Sequence, residues 1–286
     1  GCEHGCVYCY ARPSHAYLGL SPGLDFESRL FAKPEAAKLL ERELSKPGYQ
    51  PQLINIGANT DPYQPIERRY KITRQVLEVL SRFNHPVTVI TKSNLVCRDI
   101  DILAPMAEKG LAGVAVSVTT LDAKLARALE PRAPRPDKRL AAIRTLSNAG
   151  VPVTVMAAPM IPVLNDAELE RILEAAAKAG ATGAGYILLR LPLELKELFT
   201  EWLRTHVPDM ADHVLNQVRE TRGGGLYVSE FKTRMKGTGQ RAEILARRFE
   251  IACKRLNLNN QRPQKFGMET SQFSVPPRPG DQLRLF

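Results

Sequence analysis

The sequence is poor in three things. No apolar run approaches the roughly 20 residues that a helix needs to cross a bilayer, so no membrane span is expected. The chain opens on Gly1 rather than methionine, so the native N-terminus is expected upstream; no secretory signal is in view. Cysteine is scarce as well. There are 5 in 286 residues, of which Cys2, Cys6 and Cys9 crowd one end while Cys97 and Cys253 lie far off. A trio cannot pair off internally, and without an export signal a disulfide framework is not expected. Nor does a fourth cysteine lie nearby, where a closed iron-sulfur or structural zinc site normally takes four protein ligands. Basic charge, by contrast, is abundant. A formal net charge of +10 and a pI near 9.5 favour a polyanionic partner, most simply nucleic acid. The 44% hydrophobic content and mean hydropathy of -0.22 describe an ordinary soluble chain, sufficient for one large domain or two small ones.

The chain is organised around Gly1-Cys2-Glu3-His4-Gly5-Cys6-Val7-Tyr8-Cys9-Tyr10. Thiolates are soft ligands for iron-sulfur clusters and zinc, and a loop carrying Gly1 and Gly5 can wrap its backbone around an inorganic core. Three ligands leave one metal corner open. Spacing alone suits either a cluster or a zinc site completed by His4 or His15. The pattern C-x3-C-x2-C with Tyr8 before the third cysteine resembles the cluster loop of the radical S-adenosylmethionine (SAM) enzymes. That resemblance implies Cys2, Cys6 and Cys9 on three irons of a [4Fe-4S] cluster, with SAM chelating the fourth and the backbone around Tyr8 against its adenine. It further implies an electron donor such as flavodoxin or ferredoxin, reductive cleavage of SAM, and a 5'-deoxyadenosyl radical that abstracts hydrogen from a substrate.

Downstream, residues 12–33 hold Pro, Gly and Ser with little periodicity and read as a long surface excursion. A helical pattern then runs from Pro34 to a stop at Pro47-Gly48. β-rich runs at residues 53–56, 87–91, 113–118, 151–156 and 183–189 alternate with helical patterns at 72–82, 99–108, 139–149 and 166–179. This rhythm predicts parallel βαβ units. The fold class is therefore α/β, and the resemblance specifies it as a partial (β/α)6 barrel whose first strand precedes Gly1. Residues 1–190 are read as the core, 191–273 as a helical and basic extension, and 274–286 as an extended tail.

In barrels the chemistry sits at the C-terminal strand ends. After the first visible strand come Asn59, Thr60 and Asp61, groups suited to SAM ribose or amine, though the segment also reads as a turn. The second strand ends at Lys92, suited to a carboxylate, and the third carries Ser117 and Thr119 on one face. Arg139 is expected in the first turn of the helix after Pro134 and Pro136, where the dipole disfavours a cation, so a ligand carboxylate is its expected partner. Residues 157–162 form an apolar platform for adenine or for the core. Taken in order, Thr-Asp, Thr-Lys, Ser-x-Thr, Glu-Pro, Arg-Leu-Ala-Ala and Ala-Pro resemble the spore photoproduct lyase branch and its DNA repair photolyase-like relatives, which implies action on damaged DNA. The lyase's hydrogen-returning cysteine aligns with Ala58, so the lyase reaction itself is in question; Tyr63 and Tyr186 are the substitutes considered.

The last third adds helical patterns at 193–204, 208–219 and 241–256, a Gly223-Gly224-Gly225 break, and a basic segment at 231–239 suited to phosphate. Gln282-Leu283-Arg284-Leu285-Phe286, after a Pro-rich tether, resembles the pentapeptide by which bacterial repair proteins bind the β sliding clamp. The whole reads as a cytoplasmic radical SAM enzyme acting on nucleic acid. The rivals are radical modification of RNA or protein, and a zinc-stabilised nucleic-acid-binding module.

Overall fold

A computed structural model describes residues 1–231, 233–260, 268 and 270–277. The elements that frame it are α1 (Ala36–Leu44), β1 (Ile54–Ile56), α2 (Ile72–Arg82), β2 (Val87–Thr91), α3 (Ile100–Glu108), β3 (Ala112–Ser117), α4 (Ala123–Leu129), α5 (Pro136–Asn148), β4 (Val153–Met160), α6 (Leu169–Lys178), β5 (Gly183–Leu188), α7 (Leu195–His206), α8 (Ala211–Glu220) and α9 (Gln240–Arg255). The five strands form one parallel sheet in sequence order, β1-β2-β3-β4-β5.

Parallel neighbours require crossovers, and the chain supplies a helix between each pair. The strands are short Val- and Ala-rich runs because both faces are covered; in β2 only Ile90 is not fully buried. The helices bury one stripe. In α6, Leu169, Ile172, Leu173 and Ala176 repeat at helical spacing and are fully buried against the sheet, each large side chain contributing roughly 1.5–3 kcal/mol. Pro136 opens α5 at the first helical position, three residues before Arg139.

Two expectations need correction. Residues 12–33 are not a surface excursion throughout: Arg12–Leu18 forms a 3-10 helix and Leu24–Ser28 a short α-helix, with Arg12, Pro13, His15 and Phe26 buried beneath the cysteine loop. The fourth strand runs on to Met160, with a register shift against β5 between Ala157 and Met160, so the apolar platform belongs largely to the strand.

Helices α7 and α8 pack on the cysteine side, where Phe199, Trp202, Leu203, Val214 and Val218 share a core with Cys6, Tyr8, Leu129 and Leu189. Helix α9 lies on α6, fastened by Arg248 to Glu170 at 2.6 Å. Phe273 packs among Tyr49, Phe83 and His85. The clamp-like pentapeptide Gln282 to Phe286 lies outside the described residues. Among those residues, no helix is long and apolar enough to cross a membrane.

Candidate active site

The loop that carries the three cysteines is held from below. Arg12 donates from Nε to the Cys6 carbonyl at 2.9 Å, from Nη2 to the Gly5 carbonyl at 3.1 Å, and from Nη1 to the carbonyls of Pro22 and Gly23, while pairing with Glu27. One buried guanidinium thus replaces the regular hydrogen bonds that an irregular loop cannot make for itself. Gly5 has φ +68°, and a Cβ there would lie 2.2 Å from Arg132 Nη2. The positive φ favours glycine there, whereas the Arg132 side chain could shift. Cys2, Cys6 and Cys9 are free thiols on one wall of a cavity of about 190 Å³.

The opposite wall comes from the strand ends. Gly57, directly after β1, has φ +96°, and a Cβ would sit 2.1 Å from the Ile90 carbonyl oxygen. The close crossing turns Ala58, Asn59, Thr60 and Asp61 into the cavity. Asp61 ties three segments together. It accepts from the Lys92 amide at 2.7 Å, the Thr91 hydroxyl at 2.7 Å and the Tyr63 amide at 2.9 Å, and its Oδ2 lies 3.4 Å from His4 Nδ1. Burial alone would raise its pKa, but His4 and these donors hold it down at about 2. Burial likewise works against a charged His4, and Asp61 with Cys2 outweighs it, raising His4 to about 9.

Behind the wall lies a second, fully buried set. Glu130 accepts from the hydroxyls of Tyr8 and Thr119 and pairs with Arg139, which also donates to the carbonyls of Pro134 at 2.7 Å and Ser117 at 3.2 Å. Burial opposes ionisation of Glu130, yet Arg139 and then Lys92 hold it at about 2. The network fixes the Tyr8 ring; Lys92 Nζ stands 5.7 Å from its centroid.

Of the residues singled out from sequence, the cavity wall brings together the three cysteines, Tyr8, Asn59, Asp61, Lys92 and Ser117. Thr119 and Arg139 are not on it. Arg139 is only 2% exposed and already has a carboxylate partner, Glu130, so it holds the wall from behind rather than reaching into the cavity. Tyr63 and Tyr186 also stand off the wall, the Tyr63 hydroxyl donating to Asp99 at 2.9 Å. Sequence reasoning passed over Arg12, Tyr10 and Arg190. Tyr10 and Arg190 line the cavity, with the Arg190 guanidinium 4.9 Å from the Tyr10 ring centroid and the Tyr10 hydroxyl on the Ala58 carbonyl. The strand-end rule would have found Arg190, which follows β5 by two residues.

Among the described residues, no three His, Cys, Asp or Glu side chains gather tightly enough to hold a single metal ion. His15 is also committed elsewhere, its Nε2 lying 3.0 Å from the Arg29 carbonyl. Three soft thiol donors on one concave wall are the ligand type that iron-sulfur clusters take.

A parallel α/β sheet with a three-thiolate loop over its strand ends defines a class of cluster-bearing enzyme folds. Within it, this chain belongs to the radical SAM superfamily, whose family model matches residues 1–176. An uncharacterised protein of Mycobacterium tuberculosis is 36% identical over 230 residues, covering 80% of this chain and 66% of the relative. The chain thus spans just under two thirds of that relative's length. An uncharacterised protein of Methanocaldococcus jannaschii is 28% identical over 168 residues, covering 59% of this chain and 60% of its own. Among solved structures, spore photoproduct lyase complexed with dinucleoside spore photoproduct aligns with TM-score 0.60 at 16% identity, over 88% of this chain and 70% of that one. The likeness is one of fold.

Proposed function

We propose that this chain is an enzyme that holds a [4Fe-4S] cluster on Cys2, Cys6 and Cys9, binds SAM in the adjoining cavity, and acts on a nucleic acid. The observation that carries the proposal is that three free cysteines share one cavity with the polar strand ends Asn59, Lys92 and Ser117. The cluster and SAM, once bound and supplied with an electron by a flavodoxin- or ferredoxin-like donor, provide the radical chemistry of the superfamily. The protein's part is positioning. Arg12 fixes the loop, Glu130 fixes Tyr8 and Thr119, and Asp61 joins the loop to β1 and β2. Lys92, half-buried and cationic, suits the SAM carboxylate, while Asn59 and Ser117 offer hydrogen bonds to its amine or ribose.

Support for nucleic acid comes from the net charge of +10 and from a fold shared with spore photoproduct lyase complexed with dinucleoside spore photoproduct. The clamp-like tail, if it binds as its pattern suggests, would bring the enzyme to replicating DNA. The test is anaerobic reconstitution with iron and sulfide, dithionite reduction with SAM, and measurement of 5'-deoxyadenosine. Product that falls to background in Cys2→Ala, Cys6→Ala and Cys9→Ala supports the reading; uptake of zinc but no cluster overturns it.

A further inference from the structure

Part of the basic charge of the C-terminal third is paired. On α9, Arg241, Arg248 and Arg255 are neutralised by Asp166, Glu170 and Glu174. At the end of β5 the situation reverses. Arg190, Arg222, Arg234 and Lys236 gather there with no ion-pair partner among the described residues. Arg222 is 2% exposed and spends its donors on four carbonyls: Leu188 and Leu189 at the strand end, and Thr233 and Arg234 in the basic segment. It therefore clips that segment onto the rim of the cavity. Gly237 permits the approach, since a Cβ there would lie 2.7 Å from Leu188 Cδ1.

Arg190 stands between this clip and the cavity. Its ring-facing side lies on Tyr10, its Nη1 has only the Met235 thioether at 3.6 Å, and its buried Nε has no acceptor. A thioether is a weak acceptor, so most of the guanidinium fork is unused. Burial, and then the neighbouring Arg190 charge, lower Arg222 to about 10. Two guanidiniums set side by side without a carboxylate favour any anion that arrives. Beyond them Phe231 is 78% exposed with the Arg234 guanidinium 4.9 Å from its ring centroid, an arrangement suited to base stacking.

We propose that Arg190, backed by Arg222, seats a backbone phosphate of a nucleic-acid strand, with an unpaired nucleoside in the cavity and a flanking base on Phe231. The fork geometry of Arg190 matches two phosphate oxygens, and Lys236, turned onto the Tyr186 ring at 3.5 Å, does not compete for them. This inference rests on the reading that the cavity is where substrate is processed. It assigns substrate recognition to the β5 edge and leaves the SAM carboxylate to Lys92 at the β2 end.

The test is fluorescence anisotropy of the reconstituted protein with a labelled 12-residue single-stranded oligodeoxynucleotide between 50 and 200 mM salt, beside equilibrium binding of SAM. For Arg190→Gln the expected result is about a tenfold weaker oligonucleotide affinity, with SAM binding unchanged. The slope of log affinity against log salt should shrink by about 0.7, one single-strand phosphate contact. Arg190→Lys should restore the slope but not the full affinity. An Arg190→Gln protein of native circular dichroism that keeps affinity and slope overturns the proposal, as does one that loses SAM binding instead. If the wild-type chain takes up zinc but no cluster, yet Arg190→Gln loses oligonucleotide, the phosphate seat stands and the radical reading falls.

Discussion

Two walls of one cavity are built on opposite electrostatic rules. On the cysteine side charged groups come in matched pairs: Arg12 with Glu27, His4 with Asp61, Arg139 with Glu130. On the β5 side the cations Arg190, Arg222 and Arg234 meet carbonyls, rings and a thioether, with no ion pair among the described residues. The matched wall keeps its geometry whatever enters, which suits a cluster and cofactor that must be held in one place. The unmatched wall stores unsatisfied attraction, which suits a partner that comes and goes.

The comparison breaks most visibly at the buried pair. Glu130→Gln leaves Arg139 as an uncompensated charge at 2% exposure, and losing one member of such a pair costs about 3–5 kcal/mol. Urea unfolding of the wild type and the variant measures it; a change below about 1 kcal/mol would mean that the wall is not held by this pair.

Acid attacks the same wall by a second route. The folded pKa of Glu130 and of Asp61 is about 2, below unfolded values of about 4.3 and 3.9. Depressed carboxylates contribute stability that is fully present above the unfolded values and is lost as pH falls through the folded ones. The urea midpoint should therefore decline between about pH 5 and pH 2. In Glu130→Gln the decline should be shallower, because one of the two carboxylates no longer titrates. Equal slopes in both proteins would sever the link between that pair and acid sensitivity.

How far the sequence foretold these walls follows from what each depends on. Strand ends are legible because the alternation of β-rich and helical runs fixes where each strand stops, and Asn59, Lys92 and Ser117, expected there, line one cavity. Arg139 was placed at the right end of α5, but its partner was misread, since Glu130 lies nine residues earlier and meets it only after the chain turns at Pro131 and Pro134. Arg12 was hidden for a similar reason. A cation that feeds loop carbonyls has no periodicity to mark it, and a Pro- and Gly-containing segment looks like solvent-facing loop until Phe26 is seen folded beneath it.

The smallest expected effect separates the walls most cleanly. Removing a cation from the matched side orphans an acid, whereas Arg190 has no acid to orphan and crowds Arg222 with like charge. Arg190→Gln should then leave stability within about 0.5 kcal/mol of wild type, with any residual change toward greater stability as repulsion is relieved. Its lost contacts are a thioether and one face of Tyr10, both weak beside the carbonyl bonds that Arg222 supplies. Thermal melts of Arg190→Gln and Arg222→Gln in parallel measure the difference. Arg222→Gln should melt lower, since the four carbonyls lose their shared donor and the 233–236 segment loses its attachment to β5. Equal melting losses in the two variants would make Arg190 a structural residue like its neighbour, and the rim would then be a continuation of the matched wall rather than its opposite.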